Sequence, residues 1–61
     1  MEVLSIRQTV KRACQEGYHI SEYSLRKWVR SGAIPVRRAG NKILIYYPNI
    51  ILFLQGRDLV G

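Results

Sequence analysis

Cysteine, histidine and acidic residues are scarce in this chain of 61 residues, and each shortage excludes a class of protein. One cysteine and one histidine allow neither an intrachain disulfide framework nor a Cys-rich zinc site. The most apolar run, residues 43–54, is interrupted by Pro48 and Asn49 and is shorter than the ~20 residues of a membrane-spanning helix. Residues 1–12 lack the apolar core of a secretory signal. We therefore expect an intracellular protein without metal, disulfide or membrane span.

The four acidic residues and single histidine form no recognisable catalytic pair. A domain of this size buries only about 60% of the surface of its unfolded chain, which is too little to enclose a deep, dry active site. We therefore predict that the protein is not an enzyme and has no cofactor and no small-molecule substrate. The ten basic residues give a net charge of +6, which favours a polyanion as partner.

The excess charge is confined to the middle of the chain. Residues 1–22 and residues 57–61 are each neutral, whereas residues 23–56 contain six basic residues and no acid. All six lie between Arg26 and Lys42. An ordinary solvated surface intersperses both signs, so this pattern favours a binding surface.

Two helices are predicted in the first half of the chain. Ser5 and Gln8 have the spacing of a capping box, and the apolar positions that follow predict a helix over 6–16 that Gly17 ends. Ser21 begins a second helix over 22–31, which ends before Gly32. The apolar stripe of the first helix is Ile6, Val10 and Ala13, and that of the second is Leu25, Trp28 and Val29.

The second helix has a basic outer face. At 100° per residue, Tyr23, Lys27 and Arg30 point about 140–200° away from Leu25, with Arg26 at the edge of that face. Two helices joined by a short turn that contains glycine form a helix-turn-helix, in which the second helix reads the DNA.

A hairpin and a third helix follow. Two strand-forming runs flank Gly40-Asn41, which predicts a hairpin over 36–46 with a type II′ turn. A two-residue loop would pair Arg38 with Ile43 and bring Arg37, Arg38 and Lys42 together near the tip. Pro48 then starts a helix over 48–55. The sequence thus predicts one α+β domain over 1–61, a small winged helix-turn-helix with a two-stranded hairpin as its wing and a short C-terminal helix.

Residues 21–35, SEYSLRKWVRSGAIP, resemble the excisionase and MerR-like winged-helix families. The segment SLRKWVR is especially similar to the reading helix of lambda-type phage excisionases, and VRRAGNKILI at 36–45 resembles their wing. The resemblance implies a cytoplasmic protein of a phage or bacterium that binds double-stranded DNA, with the second helix in the major groove and the wing on the minor groove. Excisionases bend DNA and direct an integrase towards excision.

The resemblance also implies roles for individual residues. Tyr23, Ser24 and Lys27 would face base edges, and Arg26 and Arg30 would hold phosphates or add to base recognition. The wing contacts would come from Arg37, Arg38, Asn41 and Lys42. Lambda-type proteins have an acidic residue where this chain has Tyr23, so their base preferences do not transfer.

Two other functions are compatible with the sequence. A small transcriptional regulator of a phage or mobile element would use the same fold and the same DNA-binding residues. A protein–protein interaction module would instead use the third helix, where five consecutive apolar residues, 50–54, leave some apolar surface exposed. That surface would also suit an integrase or a second copy of the chain on DNA.

Overall fold

The computed structural model describes residues 2–59 and contains three helices and a three-stranded antiparallel sheet. The α+β class predicted from the sequence is therefore confirmed. In chain order the elements are β1 (Val3–Leu4), α1 (Ile6–Gln15), α2 (Glu22–Arg30), β2 (Arg37–Ala39), β3 (Lys42–Tyr46) and α3 (Tyr47–Leu54). Within the described residues, no helix combines the length and the apolar character needed to cross a membrane.

Side chains cap the first two helices at the predicted residues. The Ser5 hydroxyl oxygen accepts from the backbone N–H of Gln8 at 3.2 Å, and the Ser5 N–H donates to Gln8 Oε1 at 3.1 Å, which completes a capping box. Ser21 Oγ accepts from the Ser24 N–H at 3.0 Å. Each helix ends one residue before its predicted end, because Glu16, Ser31 and Gln55 are C-caps.

The third helix also starts one residue earlier than predicted. Tyr47 is its first residue, so Pro48 lies within the first turn, where its missing N–H costs no helical hydrogen bond.

The hairpin has the predicted turn and register. Arg38 pairs with Ile43 and Ala39 pairs with Lys42, which leaves Gly40 and Asn41 as a two-residue loop. Gly40 has φ +60, and Asn41 does not have a positive φ. This combination is the pattern of a type II′ turn, whose first central residue requires the left-handed half of φ space.

The sheet has one strand more than predicted. β1 pairs with β3 through Val3–Tyr46 and Leu4–Ile45, so β3 is the central strand and the expected two-stranded sheet is wrong. A strand of two residues is too short to show an alternating pattern in the sequence. A backbone hydrogen bond of 2.7 Å from the Tyr47 N–H to the Glu2 carbonyl oxygen extends the contact.

The core lies between the helices and β3. Leu25, Ile45 and Ile50 are fully buried and come from α2, β3 and α3. Trp28 packs against Phe53, with ring centroids 4.9 Å apart, and this contact joins α2 to α3. The side of α2 that carries Leu25 and Trp28 therefore packs against the core, and the opposite side is exposed to solvent.

Candidate functional site

The outer face of α2 is exposed as the helical spacing predicts. Tyr23 retains 77% of its accessible surface, and Lys27 and Arg30 are also exposed, whereas Leu25 and Val29 are buried. Within residues 2–59, neither Lys27 nor Arg30 forms an ion pair. Their charges are thus free to meet an external anion.

Ser24 and Arg26 lie at the two edges of this face and already have partners at the N-terminal end of α2. Ser24 is half-buried, and its hydroxyl oxygen accepts a hydrogen bond of 3.1 Å from the Ser21 hydroxyl. Arg26 is exposed, and its Nη2 atom lies 3.5 Å from Oε1 of Glu22. Both residues are at the surface, but a ligand would have to compete with these contacts.

A groove of about 450 Å³ joins α2 to the hairpin tip. One side is formed by Glu22 and Arg26 of α2, and the other by Asn41 and Lys42 of the hairpin. The start of α1 closes the groove. The structure therefore brings together predicted site residues from α2 and from the hairpin. The remaining lining residues are Ser5, Ile6, Arg7, Gln8 and Ile43.

Arg7 is a basic residue of this groove that the sequence did not place there. Its Nε atom lies 3.8 Å from Oε2 of Glu22, and its side chain is 86% exposed. The helical pattern of α1 shows that Arg7 points to solvent, and the predicted helix-turn-helix places α2 near α1. No signal in the sequence places Glu22 or the hairpin tip beside Arg7.

The basic residues of the hairpin do not all line the same groove, because Lys42 lines the groove beside α2 and Arg37 lines a different one. Successive residues of a strand point to opposite faces. Arg38 pairs with Ile43, which packs against the core, whereas Arg37 pairs with Leu44. Arg37 lines a second groove of about 780 Å³ on the other face of the sheet. All four predicted hairpin residues, Arg37, Arg38, Asn41 and Lys42, are nevertheless exposed.

The second groove has an apolar lining around Arg37. Val3 and Tyr46 lie directly opposite each other on β1 and β3, and both keep about two-fifths of their surface, 40% and 42%.

The apolar residues of α3 are more buried than the sequence predicts. Ile50 is buried and residues 51–54 are half-buried. Phe53 and Leu54 pack against the core, so Ile51 and Leu52 are what remains of the apolar surface expected on this helix.

Glu16 is engaged elsewhere, in a cluster that joins α1 to α3. Arg12 Nε donates to Glu16 Oε2 at 3.0 Å, and the Tyr47 hydroxyl donates to Glu16 Oε1 at 3.0 Å. The Arg12 hydrogen bond, followed by that of Tyr47, lowers the pKa of Glu16. Burial, followed by the hydrogen bond to Glu16, raises the pKa of Tyr47 to about 12. The geometry is that of a structural link between two helices.

Comparisons with protein-family models, curated proteins and solved structures find no match to this chain. Within residues 2–59, no group of three or more His, Cys, Asp and Glu side chains is placed to hold a metal ion.

Proposed function

We propose that this chain is a winged helix-turn-helix protein that binds double-stranded DNA in a sequence-specific manner. In this proposal α2 is the recognition helix and the β2–β3 hairpin is the wing. The observation that carries the proposal is the outer face of α2. Tyr23, Lys27 and Arg30 are exposed there, and the two basic side chains have no ion-pair partner within the described residues.

The dimensions of α2 suit the major groove. A helix with its side chains is about 10–12 Å wide, and the major groove is about 12 Å wide. A helix that is buried on the Leu25 side and exposed on the Lys27 side presents one row of side chains to base edges. Arg30 can pair with a guanine in a bidentate manner, a contact worth about 1–3 kcal/mol of discrimination against other bases.

The charge distribution supports a polyanionic partner. Arg37, Arg38 and Lys42 of the hairpin add to the charges of α2, and no acidic residue lies between positions 23 and 56. Each phosphate that is neutralised releases condensed counterions, so the affinity falls as salt rises. With about five phosphate contacts, the slope of log affinity against log salt would be about −4 to −5.

The role that fits best is that of an excisionase, which bends DNA and directs an integrase in the cytoplasm of a bacterium. The resemblance of residues 21–45 supports this role. A transcriptional regulator of a phage or mobile element is the alternative, and it would use the same interface. An excision assay with the cognate integrase separates the two roles, because a regulator would leave the yield of excision unchanged.

Binding to a second protein is the remaining alternative. The half-buried Ile51 and Leu52 of α3, together with the apolar groove around Val3 and Tyr46, favour some contact with an integrase or with a second copy. Such a contact is compatible with DNA binding, since neither surface includes the outer face of α2.

The first experiment measures fluorescence anisotropy of labelled random duplex DNA, single-stranded DNA and RNA across a salt series. The double variant Lys27→Ala/Arg30→Ala is compared with Lys11→Ala/Arg57→Ala, which removes the same charge from exposed positions outside α2 and the hairpin. We expect the first variant to weaken duplex binding about thirty- to a hundredfold at 0.1 M salt and to reduce the slope by about 2. The control should stay within about threefold of the unmodified chain.

Two outcomes would contradict the proposal. Duplex binding that is absent even at low salt would exclude a DNA-binding function and favour a protein–protein module. Equal losses in the two double variants would show that net charge, and not the outer face of α2, governs binding.

A further inference from the structure

The groove between α1, α2 and the hairpin tip contains three cations and one acid. Arg7, Arg26 and Lys42 come from three different elements, and Glu22 lies among them. Its carboxylate oxygens are 3.8 Å from Arg7 Nε and 3.5 Å from Arg26 Nη2. One carboxylate therefore bridges two guanidinium groups that belong to separate helices.

These two ion pairs are weak and easily exchanged. The side chains of Arg7, Glu22 and Arg26 are 86%, 40% and 55% exposed. Exposed pairs of this kind contribute little to stability because water screens them, so another anion competes with them readily. A phosphate offers more acceptor oxygens than a carboxylate, and the planar guanidinium fork matches it well.

The backbone adds to the preference of the groove for an anion. Ser5 and Glu22 both line the groove, and they stand at the N-termini of α1 and α2. The N-terminus of a helix carries a partial positive charge of about +0.5 from its unpaired amides. The lining of the groove thus includes residues from the N-termini of two helices and three side-chain cations, with one acidic group.

We propose that this groove binds a backbone phosphate of duplex DNA, with Arg7 and Arg26 as its ligands and Lys42 beside them. In the free protein Glu22 occupies the place of that phosphate. The proposal rests on the DNA-binding function proposed above and adds Arg7, a residue of α1, to its interface. Contact with a phosphate carries no base information, so the groove contributes equally to random and to cognate sequences.

Glu22 lowers the affinity of the groove for a phosphate in this arrangement. When the phosphate enters, the carboxylate loses both partners and remains close to a second negative charge. This repulsion lowers the affinity for any duplex. Because this repulsion acts on random and cognate sequences alike, it leaves the ratio of their affinities unchanged, and base contacts from the outer face of α2 make up a larger share of the total binding free energy.

The first test compares Arg7→Ala with Lys11→Ala by anisotropy on random duplex DNA. Lys11 is also an exposed cation, one turn further along α1, and is not part of the groove. One phosphate contact contributes about eightfold in affinity at 0.1 M salt, given a slope of about 0.9 for each contact. We expect Arg7→Ala to weaken binding about five- to tenfold and to reduce the salt slope by about 1, and Lys11→Ala to change binding less than about twofold.

The second test removes the acid. Glu22→Gln should tighten binding to random duplex about three- to tenfold at 0.1 M salt, because one negative charge leaves the groove. Glu2→Gln makes the same change in net charge outside the groove and should have an effect of less than about twofold. In an Arg7→Ala background the gain from Glu22→Gln should shrink by at least half, since one of the two freed guanidinium groups is missing.

The outcomes separate this proposal from the broader one. If Lys27→Ala/Arg30→Ala weakens binding while Arg7→Ala does not, the groove proposal is wrong and the DNA-binding function stands. Equal effects of Arg7→Ala and Lys11→Ala, or equal gains from Glu22→Gln and Glu2→Gln, would also overturn it. If the unmodified chain fails to bind duplex DNA, both proposals fail. A thermal melt of each variant confirms folding, and Arg7→Gln serves as a second variant if Arg7→Ala unfolds.

Discussion

Replacing Tyr47 by Phe should remove a pH-dependent contribution to stability. The Tyr47 ring is buried, with 3% of its surface exposed, and its hydroxyl donates to the Glu16 carboxylate at 3.0 Å. Phe keeps the buried ring and deletes this hydrogen bond. The bond joins the C-cap of α1 to the first residue of α3, so its loss weakens the contact between these two helices.

The magnitude follows from the pKa of the phenol. Burial and the Glu16 carboxylate raise the pKa of Tyr47 from 10.0 to about 12, so the folded chain keeps this proton longer than the unfolded chain. The corresponding stability is present below pH 10.0 and is lost as the pH rises towards 12. A shift of this size is equivalent to at most about 2.7 kcal/mol. Since Glu16 is 41% exposed, water screens the bond, and we expect about 1–2 kcal/mol.

Urea unfolding followed by circular dichroism measures this effect at pH 8 and at pH 11.5. For a chain of this size the total stability is about 3–9 kcal/mol, so a loss of 1–2 kcal/mol is readily resolved as a shift of the midpoint. At pH 8, Tyr47→Phe should be about 1–2 kcal/mol less stable than the unmodified chain. At pH 11.5 the difference should be much smaller, because ionisation of the phenol in the unfolded chain has by then removed most of this contribution.

Tyr23→Phe is the matched control. Tyr23 is 77% exposed, so its replacement should change the urea midpoint at neither pH. A difference between the unmodified chain and Tyr47→Phe that is the same at pH 8 and pH 11.5 would refute the reasoning, because it would show that the phenol proton is not held by the fold.

Two further changes test the acid side of the same cluster and the hairpin turn. The hydrogen bonds from Arg12 and Tyr47 lower the pKa of Glu16 below 4.5, so the stability that this carboxylate confers is present above pH 4.5 and is lost as the pH falls below it. In Glu16→Gln, stability should therefore fall less between pH 5 and about 2 than in the unmodified chain, as followed by circular dichroism. Gly40→Ala should lower the free energy of unfolding in urea by about 1–2 kcal/mol, because residue 40 has φ +60. The cause is backbone strain and not a clash, since a Cβ at residue 40 would meet open space. Asn41→Ala, at a residue without a positive φ, should lower the free energy of unfolding far less.

The parts of the fold that depend on neighbouring residues could be predicted from the sequence. The capping box of Ser5 and Gln8, the cap at Ser21 and the pairing of Arg38 with Ile43 are all present. Each signal involves residues that lie within a few positions of one another. Caps, turns and helical stripes are determined by local backbone geometry, so a single sequence is enough to reveal them.

The parts that depend on distant residues could not be predicted. Strand β1 has two residues, and its partner in β3 is more than 40 positions away. Arg7 shares a groove with Lys42 of the hairpin, 35 positions away, and the Tyr47–Glu16 hydrogen bond joins residues 31 positions apart. None of these contacts leaves a periodic signal, because each involves a single pair of side chains or a very short run of backbone.

Strand β3 connects the two halves of the proposed interface, the hairpin and the outer face of α2. It begins at Lys42 in the groove between α1, α2 and the hairpin tip, includes the fully buried Ile45 and continues directly into α3 at Tyr47. Ile45 belongs to the same core cluster as Leu25, which holds α2 from its buried side. Because protein cores are close-packed, a shift of β3 against α2 would open space between these two side chains. The core thus connects the hairpin with α2, and if both contact one duplex as proposed, their packing reduces the entropy that binding would cost.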